Sequence, residues 1–393
     1  MPWIASPATR PSAASIASRR RDLKGASFSD VHLGHPQTPT SSILTNLRRA
    51  FPDTEETAEL DLLLLGGDLF DAALAYADGL IPEIEAWALY LLRLCAKHRI
   101  VFRILEGTHS HDRNQSAMFL KLVAHHAIDV DILYVDKVWV EKHEALGISI
   151  LYVPDFTTID EQSMWEKVEA ALLEAGVEQV DYVNLHGAFS YQMPPIPDVQ
   201  RTCHRMERFL RITRQYIFTG HIHLPSVYER IHCNGSFDRL NHGEEGPKGH
   251  WRFHVPTNGE DEITFIENVY AKRYDTVDCK TLSLEDALRK VEMWAEALPP
   301  GSHLRVEAER GHGIFLSMAR LRLSFPFLHW TMKAVASEKA EEVDDDPVLP
   351  AQPAVKAALT AETLGSILHE RMQQHQVAEP LIQHAMILLP TYL

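Results

Sequence analysis

Aspartates and histidines recur along this chain in a pattern suited to holding cations. Asp30 and His32 stand in FSDVHLGH, Asp68 and Asp71 in GGDLFD, and His109, His111 and Asp112 in EGTHSHD; His186 follows, then His221 and His223 in GHIH. An Asp and a His two positions apart at a strand end project the same way, a geometry that suits a divalent metal. Carboxylate and imidazole donors without thiolates fit Mn²⁺, Mg²⁺ or Fe²⁺, with Zn²⁺ an alternative. The donors suffice for two ions, with one carboxylate placed to bridge. Such a pair activates water and clamps the oxygens of an in-line displacement at phosphorus. Taken singly, His32 or His186 reads better as a satisfied core or loop histidine than as a ligand, and GGDLFD reads also as a turn opening a helix. In this order, each closing a strand, the pieces point to a binuclear metal site.

The elements that must position them follow an α/β rhythm. Leu60 to Leu65 reads as a buried strand before GGDLFD, and 81–98 as a long apolar helix. Ile100 to Leu105 is a strand before EGTHSHD, and Gln115 to Ala127 a helix. Ile148 to Val153 is a strand, Glu161 to Ala175 a helix, Val180 to Leu185 a strand ending at His186, and Tyr216 to Thr219 a strand ending in GHIH. Short continuous apolar strands between helices indicate a sheet covered on its faces. The first strand, Leu23 to Ser29, is weak, with Gly25 inside it. Past residue 270, Ser283 and Asp286 form a capping box for a helix to about Ala297. Strand-like segments at Leu304 to Ala308 and Leu321 to Phe325 complete a small βαβ-like unit.

Composition narrows the class. The chain has 393 residues and 45% hydrophobic content, as an ordinary globular protein has. No apolar run is long enough to span a membrane. Cys95, Cys203, Cys233 and Cys279 lack paired spacing, which argues against a disulfide framework or a Cys-rich zinc site and for a reducing compartment. A formal charge of −16 is awkward for any nucleic-acid enzyme. Part of it lies in the acidic run Glu338 to Asp346, which with Pro347, Pro350 and Pro353 reads as a linker. Beyond it Leu364, Ile367, Leu368 and Met372 share a helical face, and Leu381 to Leu389 forms a second apolar segment. Residues 1–24, rich in Ser, Ala and Arg, fit a disordered basic tail or an early start codon better than an organellar transit peptide. Arg201, Arg205, Arg208, Arg211 and Arg214 recur at helical spacing before GHIH. They read as one stripe, either contacting phosphate or simply solvated. No G-x-x-x-x-G-K-[ST] is present, so the chain cannot supply a P-loop ATPase of its own.

The order D-x-H, G-D-x-x-D, a G-N-H-D-like element, H and G-H-x-H resembles the calcineurin-like metallophosphoesterase superfamily over residues 25–270. Within it, FSDVHLGH, GGDLFD, NGSFDRLNHGEEGPKG and ITFIENVYAKRYDTVD resemble the SbcD-type nuclease subunit and its bacteriophage recombination-endonuclease relatives. The resemblance implies an α/β fold: a four-layer αββα sandwich, a small C-terminal α/β capping domain at 271–335, a linker at 336–357 and a helical partner-binding tail at 358–393. It implies that Asp30, His32, Asp68 and His223 hold one ion, and that Asp68 bridges to a second held with His186 and His221. Two divalent ions are implied, Mn²⁺ first and Mg²⁺ second. The superfamily usually supplies an Asn to the second ion and a neighbouring His to the chemistry, and here the chain reads Gly107-Thr108-His109-Ser110-His111-Asp112. One register sets Thr108 and His109 in those places; the other sets Ser110 and His111 there and is favoured because it keeps His111-Asp112 together. The Asn is missing in both, with His109 available as a substitute ligand. His111 would then be catalytic, with Asp71 and Asp112 orienting ligands. The activity implied is a metal-dependent DNA exonuclease or endonuclease acting in recombination or repair, the alternative being a phosphoesterase on a non-nucleic-acid substrate. DNA, an SMC-like coiled-coil ATPase and a second copy of the chain are the implied partners, in the cytoplasm and with no membrane.

Overall fold

A series of short apolar strands, each followed by a polar loop, sets the frame. In the computed structural model, which describes residues 22–75, 78–155, 160–193 and 203–336, the chain opens with β1 (Leu23–Phe28), α1 (Thr40–Ala50), α2 (Glu55–Ala58), β2 (Leu62–Leu65) and α3 (Ile81–His98). There follow β3 (Val101–Leu105), the single turn α4 (His109–Asp112), α5 (Met118–His126), β4 (Ile132–Val135), β5 (Trp139–His143) and β6 (Ile148–Val153). Next come α6 (Glu161–Ala175), β7 (Val180–His186), α7 (Met206–Ile212), β8 (Thr213–Gly220), β9 (Ser226–Tyr228), β10 (Ile231–Cys233), β11 (Gly249–Val255) and β12 (Glu262–Glu267). The last described elements are β13 (Tyr274–Asp278), α8 (Leu284–Ala297), β14 (His303–Glu309), α9 (Ile314–Ser324) and β15 (His329–Val335).

Two six-stranded sheets result, ordered β12-β11-β1-β2-β3-β4 and β5-β6-β7-β8-β10-β9. Strand alternation divides their side chains between two sides. Ala26, Phe28, Leu63, Leu65, Phe102 and Ile104 pack with residues of α1, α3 and α5. Leu23, Leu62, Leu64 and Val101 instead meet Ile150, Tyr152, Tyr182 and Phe218 of the second sheet. On that sheet's other side Leu151, Val153, Val183, Leu185 and Ile217 pack with α6 and α7. Central strands are thus buried on both faces, which is why they read as continuous apolar runs. Gly25 fits this frame: a Cβ there would lie 2.2 Å from the Phe253 ring on β11.

β1, β2 and β3 run parallel, as do β6, β7 and β8, so within each sheet these C-terminal ends share one edge. The remaining strands β13, β14 and β15 form a parallel sheet whose apolar side packs on α8 and α9. Ser283 caps α8 as expected, its Oγ accepting from the Asp286 amide at 3.1 Å. Leu321 to Phe325 is not a strand but the end of α9, because Ile314, Met318 and Leu321 recur at helical spacing against that core. β1 begins at Leu23, inside the segment assigned to the basic extension, since Leu23 and Lys24 pair with Val255 and His254. The expected linker and tail beyond residue 336, and Arg201, lie outside the described residues. Among the described residues no helix is long and apolar enough to cross a membrane.

Candidate metal centre

The loops after β1 and β2 run side by side. The amides of Asp30, Val31, His32 and Leu33 donate to the carbonyls of Gly67, Asp68, Asp68 and Leu69 at 2.8–3.1 Å. This ladder holds Asp30, His32 and Asp68 at one edge in left-handed backbone, with φ of 51°, 53° and 50°, and His221 after β8 has φ of 85°. Four of the six expected ligands therefore sit in a region that non-glycine residues seldom enter. Each such residue costs on the order of 1–3 kcal/mol and persists where surrounding structure over-determines it. The second sheet locks on through His186, whose Nδ1 meets the Gly66 carbonyl at 2.7 Å. The His221 amide donates to Asp30 Oδ1 at 2.8 Å. Gly67 is required at this junction: its φ is +91° and a Cβ would fall 2.4 Å from His186 Nδ1.

Two donor sets face one another: Asp30, His32 and His223, and Asp68, His186 and His221. His32 Nε2 lies 3.9 Å from Asp68 Oδ2, His186 Nε2 3.3 Å from the same oxygen, and His223 Nε2 3.8 Å from Asp30 Oδ1. Two of the outer nitrogens are hydrogen-bonded and the third lies close to a carboxylate without a hydrogen bond. His186 Nδ1–H donates to Gly66, His223 Nδ1–H to Glu244 at 2.9 Å, and His32 Nδ1 stands 3.2 Å from Asp71 Oδ1. With its proton on Nδ1, His223 turns its Nε2 lone pair toward His32 Nε2, and these two ring nitrogens stand 3.1 Å apart. Two acceptors at that separation call for a cation or a proton between them, so the donor set fits a divalent ion. Electrostatics agree. Burial disfavours the Asp68 charge, but His186, His32 and His111 hold its carboxyl well below the usual range. Burial likewise opposes a charge on His186, yet Asp68 prevails and raises the imidazole to about 10.

The turn after β3 brings Thr108 and His111 toward the donors. Thr108 Oγ1 lies 3.2 Å from Asp68 Oδ2, 3.3 Å from His186 Nε2 and 3.4 Å from His221 Nδ1. It stands where the missing Asn was sought, whereas Ser110 and His109 are exposed on α4. The favoured register is corrected for Ser110, and His109 is not brought to the donors. His111 does reach the centre, its ring 5.1 Å from that of His32 and its Nδ1 on the Asp71 carbonyl at 2.5 Å. Two residues, Ser110 and His109, are thus looped out between the Thr and the His that face the donors. Asp112 is buried and accepts from the amides of Asp68, Phe70 and Gly107 at 2.8–3.0 Å, joining the ends of β2 and β3. Burial, with Asp68 and Glu106 nearby, lifts its carboxyl to about 8.

Among the described residues the arginines do not form one continuous helical stripe. α7 spans only Met206–Ile212, so Arg205 precedes it and Arg214 lies on β8. Arg205 and Arg208 pair with Glu161 at 3.4 and 3.2 Å, Arg208 also covers Trp165, and Arg214 pairs with Asp181 at 3.2 Å. Arg211 stays on the helix. Glu244 and Lys248, within HGEEGPKG, also reach the centre, a contact their sequence spacing does not signal.

No family model matches the sequence, and no curated protein does. Among solved structures, TT1561 of Thermus thermophilus is similar at 11% identity over 62% of this chain and 98% of that one, with a TM-score of 0.37. Another crystal structure is similar at 11% identity over 62% of this chain and 99% of its own, also with a TM-score of 0.37. Likenesses of that degree carry no functional argument, and the case rests on the site.

Proposed function

We propose that this chain is a metal-dependent phosphoesterase, and within that class a DNA nuclease of the SbcD type. The observation that supports it is the facing pair of donor sets, Asp30–His32–His223 and Asp68–His186–His221, linked through the approach of His32 to Asp68. Two divalent ions, Mn²⁺ before Mg²⁺, would supply Lewis acidity to phosphoryl oxygens and lower the pKa of water. His111 keeps Nε2 available, because Nδ1–H donates to the Asp71 carbonyl, and would hold or deliver a proton at the departing oxygen. Asp71 lies beside the outer nitrogen of His32, and Asp112 fixes the backbone of the two loops. The stacked sheets with helices on their outer sides accord with the four-layer αββα sandwich of that superfamily, and 271–335 with its capping domain. DNA and an SMC-like ATPase that docks at 358–393 are the partners this reading entails, with a homodimer as the assembly.

A second reading, hydrolysis of a phosphoester outside nucleic acid, is favoured by the charge of −16 and by the pairing of Arg205, Arg208 and Arg214 with acidic groups. End-labelled linear DNA incubated with the full chain in Mn²⁺, beside an EDTA control and Asp68→Asn, tests the first reading. Cleavage lost in both controls is the expected outcome. Turnover of a chromogenic phosphodiester with intact DNA, ATPase partner included, would transfer the assignment to the second.

A further inference from the structure

The segment HGEEGPKG, residues 242–249, reaches the centre from outside the superfamily-type motifs. We propose that Glu244 is a positioning residue for His223, anchored in turn by Lys248; this rests on the reading of the site as a metal centre. The Glu244 Oε1 atom accepts from His223 Nδ1 at 2.9 Å, while Oε2 accepts from Ser236 Oγ at 3.0 Å and Lys248 Nζ at 2.9 Å. The Lys248 ammonium also donates to the His223 carbonyl and to Ser236 Oγ, both at 2.7 Å. His223 is held at its ring and at its backbone by one buried cation–carboxylate network.

Two physical points raise this above ordinary packing. An ionised carboxylate only accepts hydrogen bonds, so the His223 proton must sit on Nδ1 and the Nε2 lone pair must face Asp30 and His32. The Glu244 carboxylate is met by three donors, His223 Nδ1–H, Ser236 Oγ and Lys248 Nζ, so both of its oxygens are engaged. Lys248 is itself only 1% exposed. A buried ammonium is costly unless paired, and here its partners are Glu244, Ser236 and the ligand's own backbone. The flanking residues point away: His242 meets Thr331 Oγ1 at 3.1 Å and Glu245 accepts from Thr276 Oγ1 at 2.6 Å. The segment is therefore tied to β15 and β13 while Glu244 and Lys248 turn to the centre.

The experiment is Mn²⁺ titration of the full chain, followed by the free-ion paramagnetic resonance signal, for the native protein and Glu244→Gln. The amide keeps the shape and can still accept from His223, but cannot accept through both oxygens. One of two Mn²⁺ sites is expected to weaken by roughly ten- to a hundredfold, the other staying unchanged. Two native sites that Glu244→Gln leaves equally tight would overturn this proposal and spare the metal centre. No Mn²⁺ bound to the native chain would overturn both. A readout that needs no variant is the nitrogen spectrum of the native protein's histidines in EDTA at pH 8.5, assigned with His223→Gln. His223 is expected with its proton on Nδ1; a proton on Nε2 would overturn the proposal however the variant folds.

Discussion

Thr108 is the residue whose role changes most between sequence and structure. Its hydroxyl stands among Asp68, His186 and His221 within 3.2–3.4 Å, and its amide donates to Asp68 Oδ1 at 2.5 Å. Thr108→Val keeps the shape and the amide but removes the oxygen. Mn²⁺ titration of that variant is expected to show the site of Asp68, His186 and His221 weakened by about tenfold or more. Unchanged affinity would make the hydroxyl a bystander. The ambiguity in Gly107 to Asp112 was real in the sequence, since either histidine could have adjoined the missing Asn. Backbone resolved it: α4 is one turn long, so Thr108 precedes the turn and His111 returns to the centre from its last residues.

At the level of elements, the two sheets are joined by more than apolar contact. Arg103 on β3 donates to Glu141 on β5, Nη2 to Oε1 at 2.6 Å and Nε to Oε2 at 2.8 Å, and the Tyr152 hydroxyl adds a bond at 2.7 Å. Both charged residues are buried. Truncating one partner leaves the other charge without compensation, and Arg103→Met is expected to destabilise by about 3–5 kcal/mol in urea unfolding. Adding Glu141→Leu should recover part of that loss, the sign that an orphaned carboxylate rather than lost packing was responsible. A loss no greater than that of an ordinary core substitution, unrelieved by the second change, would refute it. Strands β2, β3, β6 and β7 were legible because burial on both faces leaves a continuous apolar run. The short edge strand β9, its equally short neighbour β10 and the half-polar β13 were not, because partner strands rather than composition define them.

Across the whole molecule, buried histidines that remain neutral make stability depend on pH. His232 lies among Tyr216, Phe218 and Trp251, and burial lowers its pKa to about 4; burial lowers that of His250 to about 3. Above an unfolded pKa near 6.5 neither state binds the proton, and stability is intact. As pH falls, the unfolded chain takes it up first, so stability declines from about 6.5 until the folded pKa near 4 is passed. Each such histidine adds about 1.4 kcal/mol per pH unit to the slope within its window. His232→Phe, which fits the aromatic surroundings, should lower the slope by one proton when unfolding is followed between pH 6.5 and 4.5. An unaltered slope would mean that His232 is not kept neutral.

The linear order of donors, the strands that carry them and the absence of thiolates were all determined by sequence alone, because ligand type and strand periodicity are local properties. That Asp30, His32 and Asp68 meet His186, His221 and His223 was decided by tertiary structure. It depends on two sheets packing with their strand ends at one place and on left-handed backbone at four ligands. The same holds for the arginines. Their spacing allowed a helical stripe, but β8 begins at Thr213 and acidic groups on neighbouring elements claim the guanidinium groups. Helical spacing gives a common face only where a helix forms, and only long-range packing decides which charges a face will meet.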